Sequence, residues 1–194
     1  MISVGVTGGI GSGKSTVCRI FEQLDIPVYY ADKEAKRLMS HNPELKTQIK
    51  SLLGHQAYHS NGRLNRKYVA SIIFSDKELL EKLNKLVHPA VRKDAKAWTQ
   101  RQNSKYSLQE AALFVENGSY KQLDYLIVVT APVEMRIKRV VKRDHSNFDE
   151  VKRRIDSQLP EIEKKKVADF IIDNSGDVSL IHQVLKIHRK LIDA

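Results

Sequence analysis

Read for period alone, the chain switches between short alternating apolar stretches and longer ones spaced three and four apart. Ile2, Val4 and Val6 alternate with Ser3 and Gly5, a period of two that predicts a strand. Val17, Ile20, Phe21 and Leu24 fall at i, i+3, i+4 and i+7, one face of a helix. Asp25-Ile26-Pro27 closes that helix, and Val28-Tyr29-Tyr30 predicts a second strand ending at Ala31-Asp32, before a helical stretch from Lys33 to Met39. From about Lys33 to Lys105 there is no strand pattern. Leu45, Ile49, Leu52 and Leu53 share a helix face; His59 to Gly62 is turn chemistry; Tyr68, Val69, Ile72 and Ile73 form a further helix. Leu79, Leu80, Leu83 and Leu86 form another, and His88-Pro89 reads as a fresh helix start, with proline at the first helical position and Val91, Ala95 and Trp98 after it.

The strand pattern resumes at Ala111–Val115, ending in Glu116 ahead of an Asn117-Gly118 turn. Tyr125–Val129 is a short continuous apolar run of buried parallel-strand character, punctuated by Ala131-Pro132 and followed by a helix to about Arg143. Asn147 with Glu150 resembles a capping box opening a helix from Phe148 to Gln158. Phe170–Ile172 predicts a fifth strand, and Val178, Ile181, Leu185, His188 and Ile192 a closing helix. Strands alternating with helices predict an α/β fold, a parallel sheet covered on both faces. About seventy helical residues between two of its strands predict an inserted subdomain over 32–106, within a core of 1–31 and 107–194.

Composition narrows this little. At 194 residues, with 41% hydrophobic and 29% charged residues, the chain has room for one core and an insertion. No apolar run reaches membrane-spanning length. The single cysteine, Cys18, excludes an internal disulfide framework and points to a reducing cytoplasm. The net charge of +10 fits polyphosphate ligands, a soluble surface or nucleic acid. The basic residues are spread along the chain without a block of like charge, and the aromatics, 7% of residues, are not interleaved with them as in a stacking platform.

The chemistry starts at Gly8-Gly9-Ile10-Gly11-Ser12-Gly13-Lys14-Ser15, which satisfies G-x-x-x-x-G-K-[ST] between a predicted strand and a predicted helix. Glycines let successive N–H groups turn inward around a phosphate chain at the positive end of the helix. Nucleotide contacts are expected from Gly9, Gly11, Ser12, Gly13, Lys14, Ser15 and Thr16, with Lys14 on the terminal phosphates and the Ser15 hydroxyl completing a Mg²⁺ shell. The fold expected is therefore a three-layer α/β/α phosphate-loop NTPase with a five-stranded parallel sheet, a helical insertion and a lid.

Asp32, at the end of the second strand, falls on the sheet edge that carries the loop; it is a general base, a water-mediated Mg²⁺ ligand, or the cap of the next helix. Glu116 is a Mg²⁺ or acceptor ligand, or a surface carboxylate before a turn. Arg136, Arg139 and Arg143 share one helix face within the segment 134–166, which holds eleven Lys/Arg against seven Asp/Glu. That segment is where kinases of this architecture carry a lid. The seven histidines show no metal-ligand spacing, and Asp173–Gly176 matches the GTPase element D-x-x-G without any N-K-x-D to read guanine.

Taken in order, these stretches resemble the dephospho-CoA kinase family nearly end to end. Val6–Ser15 is similar to the family's phosphate loop, and Ala31-Asp32 to its D-A-D-like motif, whose first carboxylate is Tyr30 here. Asn61–Arg66, Ile73–Asp76, Leu83-Asn84 and His88-Pro89 resemble its acceptor-binding insertion. Arg139 and Arg143 match lid arginines, and Arg154-Ile155 with Gln158, then Ala168-Asp169 through Asn174 and Gly176, match its C-terminal part. The family's P-L-L-F-E run is replaced by Ala112–Glu116, with alanine for proline.

The resemblance implies transfer of the γ-phosphoryl of Mg-ATP to the ribose 3′-hydroxyl of dephospho-CoA, the last step of coenzyme A biosynthesis. It implies catalysis by Lys14, Asp32, Arg139 and Arg143, with Asn174 on ATP. Dephospho-CoA would be bound through Asp32, Arg66, His88, Pro89 and Glu116. The partners expected are these two small molecules, with neither nucleic acid nor membrane, for a monomer in the cytoplasm.

Overall fold

The computed structural model describes residues 1–73 and 76–194. Phe74 and Ser75, in the Ile73–Asp76 stretch of the resemblance, lie outside the described residues. The chain divides into two compact units, Met1–Tyr29 with Arg101–Ala194, and Tyr30–Gln100.

The first unit is built on a five-stranded parallel sheet of β1 (Ile2–Thr7), β2 (Val28–Tyr30), β3 (Tyr106–Glu110), β4 (Tyr125–Thr130) and β5 (Phe170–Asp173), in the order β2-β3-β1-β4-β5. Val4 pairs with Leu108 on one side of β1 and with Tyr125 on the other; Thr130 of β4 pairs with Asp173 of β5. Strands covered on both faces have no polar side to show, which is why β4 reads as an unbroken apolar run; Ile127, Val128 and Val129 are fully buried. Parallel register also brings the C-terminal ends of β1, β3, β4 and β5 to one edge, where ligands bind in such sheets.

The third strand lies earlier than the pattern predicts. Tyr106–Glu110 forms β3, and Ala111–Gly118 is a turn region whose Phe114 packs on Leu126 and Val128. Ser107, Gln109 and Glu110 dilute the apolar signal of the true strand, while Ala111–Val115 is apolar because it covers the sheet end. Tyr106 and Ser107 are fully buried despite their polar atoms, and the Tyr106 ring meets Phe21 edge-on at 6.3 Å.

The helices of the chain run from α1 (Lys14–Glu22) in the first unit through α2 (Ala31–His41), α3 (Pro43–Leu53), α4 (Arg66–Ile73) and α5 (Lys77–Gln100) in the second. They continue in the first unit with α6 (Val133–Asp144), α7 (Phe148–Asp156), α8 (Glu161–Lys166) and α9 (Leu180–Ile192). The second unit has its own core, in which Leu38, Leu45, Ile49, Leu53, Val69, Leu83 and Val87 meet. Asn42 caps α3 by accepting from Leu45 N at 2.9 Å, and Arg37 of α2 ties to Asp94 of α5 through both carboxylate oxygens at 2.9 and 3.0 Å.

Pro89 does not start a helix. It lies inside α5, a continuous helix of 24 residues. A proline there costs the Lys85 carbonyl its helical donor. Both Pro89 and Lys85 face solvent, so water can take that carbonyl, while Leu83, Val87 and Val91 keep one apolar stripe running past the proline. The short α8 gives no periodic signal, since Glu161–Lys166 contains one apolar residue.

Two substitutions separate core from surface. Ile49, fully buried in the second unit, should lose about 2–5 kcal/mol of stability as Ile49→Ala. Ile181, 58% exposed on α9, should change it by less than about 0.5 kcal/mol as alanine. Urea denaturation midpoints at constant slope would check both.

Candidate active site

β1 ends at the buried Thr7, and the chain then wraps from Gly8 to Gly13 before α1 opens at Lys14. Gly13 is the residue ahead of α1, in the left-handed conformation at φ 100°, and a side chain there would run into the Asn174 amide. No side chain caps α1, and no acidic residue lies in its first turn. With no acid in that first turn, the positive end of the helix is placed to favour an incoming anion.

What holds the loop open is a set of ties to its outward-facing main chain. Arg136 of α6 donates from Nε to the Ile10 carbonyl at 2.9 Å, and the Ile10 N–H donates to Gln158 Oε1 at 2.8 Å. Arg139 reaches the Gly11 carbonyl at 3.5 Å and the Asn174 carbonyl at 3.1 Å. The Asn174 side-chain amide donates to the Ser12 carbonyl at 2.7 Å. In a trans peptide the next N–H points opposite its carbonyl. Drawing the Ile10 and Ser12 carbonyls outward therefore turns the Gly11 and Gly13 amides toward the space the loop encloses.

The apolar side of the brace is Ile137, Val140, Val151 and Ile155, against which Ile10 packs. Lys14 Nζ rests on the Gly8 carbonyl at 2.9 Å and the Gly9 carbonyl at 3.4 Å. Ser15 and Thr16 are exposed in the first turn of α1, whereas Ser12 is fully buried.

Three arginines of one stripe thus meet three different surroundings. Arg136 is 5% exposed, and burial lowers its pKa against the opposing pull of Glu161. Arg139 is shared between the loop and Asn174. Arg143 is outside this set: it lies exposed and forks onto Asp144, Nε to Oδ1 at 2.6 Å and a terminal nitrogen to Oδ2 at 2.9 Å. Those bonds, with a lesser contribution from Arg154, pull the Asp144 carboxyl down to about 2.

Glu116 sits in the turn after β3, its carboxylate 2.5 Å from the ammonium of Lys164, a residue 1% exposed on α8. Lys164 carries no mark in the sequence, being one of three consecutive lysines in a segment without apolar period; only burial singles it out. Gln158 and Arg136 were visible as family positions or stripe members, but their main-chain targets were not.

The other expected residues belong to the second unit. Asp32 is exposed in the first turn of α2, which opens at Ala31 with Tyr30 ahead of it, so Asp32 is not the helix cap. It lies two residues beyond β2. Arg66 is exposed at the start of α4, after Asn65 accepts from Tyr68 N at 3.2 Å. His88 is half-buried on α5 and Pro89 exposed.

Among known proteins, the family model described as dephospho-CoA kinase matches residues 2–179. The dephospho-CoA kinase of Bacteroides fragilis is 33% identical over 187 residues, 96% of this chain and 91% of that protein. The crystal structure of TT1252 from Thermus thermophilus superimposes with a TM-score of 0.86 at 33% identity, covering 97% of this chain and 96% of that one. Dephospho-CoA kinase from Campylobacter jejuni gives 0.70 at 30% identity, covering 98% and 97%.

His88 supplies a pH test. Burial, and then the Arg92 cation, lower its pKa below the ordinary 6.5. The unfolded chain then takes up the proton first, so the stability His88 contributes is whole above about pH 6.5 and drains as pH falls toward the lower folded value. Urea midpoints should fall between about pH 7.5 and 5.5, and His88→Gln should flatten that segment.

Proposed function

The chain belongs to the dephospho-CoA kinase family and is an ATP-dependent kinase, and on that premise we propose how its residues divide the work. The reaction moves the γ-phosphoryl group of ATP to the ribose 3′-hydroxyl of dephospho-CoA, giving CoA and ADP, the closing step of coenzyme A biosynthesis. The observation that carries this reading is the loop Gly8–Ser15, with its Ile10, Gly11 and Ser12 carbonyls held outward by Arg136, Arg139 and Asn174.

Phosphoryl transfer asks for positioned donors rather than covalent help. A bond forms from the 3′-oxygen to the γ-phosphorus as the bond to the β–γ bridging oxygen breaks, and the charge gathers on ADP and the equatorial oxygens. The amides of the loop and of the first turn of α1 meet that charge without reorganising. Lys14 exchanges the Gly8 and Gly9 carbonyls for terminal phosphate oxygens. Arg139 adds its guanidinium from α6, where it already touches both the loop and Asn174. Arg143 would join only by leaving Asp144. In this reading α6 to α8 act as the lid that excludes water, whose attack would hydrolyse ATP.

The exposed Ser15 hydroxyl fits a magnesium ion that arrives with the nucleotide, since Mg²⁺ keeps phosphate oxygens and waters and takes few protein ligands. When bound, the ion neutralises charge on the phosphates. Asp32 orients the acceptor hydroxyl and receives its proton late, as a loose phosphoryl-transfer transition state allows. Arg66, His88, Pro89 and Glu116 are assigned to the acceptor by the same resemblance. Among the described residues no helix is long and apolar enough to cross a membrane. We place the enzyme in the cytoplasm, as a monomer without a nucleic-acid partner.

ATP turnover should depend on dephospho-CoA, with CoA identified as product by mass spectrometry; acceptor-independent turnover alone would sink the reading. Asp32→Asn should leave ATP affinity nearly intact while kcat falls by about 10² or more. Retained kcat would reduce Asp32 to a favourable charge in the first turn of α2.

A further inference from the structure

A cavity of about 600 Å³ opens beside Gly9, walled by the end of β4, by Arg136 of α6, by Gln158 and Pro160 after α7, and by Lys164 of α8. Its two buried charges are both cations, Arg136 at 5% and Lys164 at 1% exposure. The other charges of the wall are engaged. Arg136 holds the Ile10 carbonyl, Asp156 holds Lys152 at 2.6 Å, and Glu161 holds Lys165 at 3.1 Å. The Asp173 carboxylate accepts from Ser175 N at 2.9 Å.

Lys164 differs. Its ammonium lies 2.5 Å from Glu116 Oε1, yet this is a charge contact without the alignment of a hydrogen bond. Among the described residues Lys164 Nζ has no aligned acceptor. An ammonium carries three N–H donors, and a buried one is stable only when its charge and its donors are both met. Glu116, which is not part of the cavity wall, meets the charge alone. Nζ itself is covered, so oxygen atoms in the cavity meet the donors once the ammonium swings off Glu116 toward the cavity that Lys164 lines. Gly9, on that wall, is also the residue whose carbonyl Lys14 touches at 3.4 Å, so the cavity adjoins the lysine expected at the end of the phosphate chain.

We propose that this cavity is a phosphate subsite and that Lys164 is the residue that binds there, giving its N–H donors to phosphate oxygens of a bound substrate while Glu116 holds it when the subsite is empty. The proposal rests on the kinase reading and deepens it. Both substrates of that reaction carry phosphate chains, so the shared chemistry is an oxyanion of phosphorus. Beside the acceptor contact the resemblance assigns to it, Glu116 competes with the phosphate for Lys164, and at this subsite it therefore opposes binding.

That opposition separates a subsite from a brace. Inorganic diphosphate is titrated calorimetrically into the full chain saturated with ADP, so that the loop is already filled, for wild type, Lys164→Met and Glu116→Gln. Lys164→Met should weaken diphosphate by roughly tenfold to a hundredfold, the loss of charge-assisted hydrogen bonds. Glu116→Gln should bind it at least as tightly as wild type, because the competitor is gone. Equal weakening in both variants would make the pair a structural brace and overturn the proposal, as would undiminished binding by Lys164→Met. If Lys164→Met fails to fold, Glu116→Gln decides alone: tighter or unchanged binding supports the subsite, and weaker binding overturns it.

Parallel titrations with dephospho-CoA and with a non-hydrolysable ATP analogue name the source of the phosphate. A loss in Lys164→Met confined to dephospho-CoA assigns the subsite to the acceptor, and one confined to the analogue assigns it to the nucleotide. Wild-type turnover with dephospho-CoA tests the kinase reading separately, so a working enzyme whose Lys164→Met variant binds normally would refute the subsite alone.

Discussion

The constraint on which the rest depends is that a phosphate loop must hold its carbonyls away from its ligand. Left to itself, a run of glycines would satisfy its N–H groups with its own carbonyls or with water. Here Ile10 is gripped at both its N–H and its C=O by side chains from Gln158 and Arg136, and the Ser12 carbonyl is taken by Asn174. The inward amides are the remainder of that arithmetic. The sheet supplies the geometry: parallel register carries the ends of β1, β4 and β5 to one edge, so that α6 and the turn after β5 can reach the loop.

This gives part of the basic composition an internal use. Arg136 and Lys164 are the buried cations of the first unit among the described residues. Each is costly to desolvate, and neither earns its place through a surface salt bridge. Arg136 is retained by the carbonyl it holds, Lys164 by the carboxylate beside it. The exposed pairs Lys152–Asp156 and Lys166–Glu163 contribute little by comparison. The charge of +10 therefore divides between a solvated surface and a small number of internal tasks.

Much of this was legible in the chain, for stated reasons. The loop is legible because a strand period, an eight-residue motif with four fixed positions and a helix period adjoin. β4 was readable because burial on both faces removes its polar positions. β3 was misplaced because the strand carries Ser107, Gln109 and Glu110 while the apolar run lies just after it. Pro89 misled because proline usually marks a helix start, and whether it can be carried inside a helix depends on which side faces water. The stripe of Arg136, Arg139 and Arg143 was visible as spacing, but spacing does not say that Arg136 is buried on a carbonyl and Arg143 is turned onto Asp144. Lys164 left no mark at all, since a buried lysine and a solvated one are written alike.

The order in which the loop is made and the order in which it is set are opposite. Gly8–Ser15 is made before every residue that fixes its peptide planes: Arg136, Arg139, Gln158 and then Asn174. A nascent or C-terminally clipped chain carries the whole motif and yet lacks the hands that open it. The motif by itself leaves its peptide planes unset, and they are fixed only by side chains 126 to 162 positions further along.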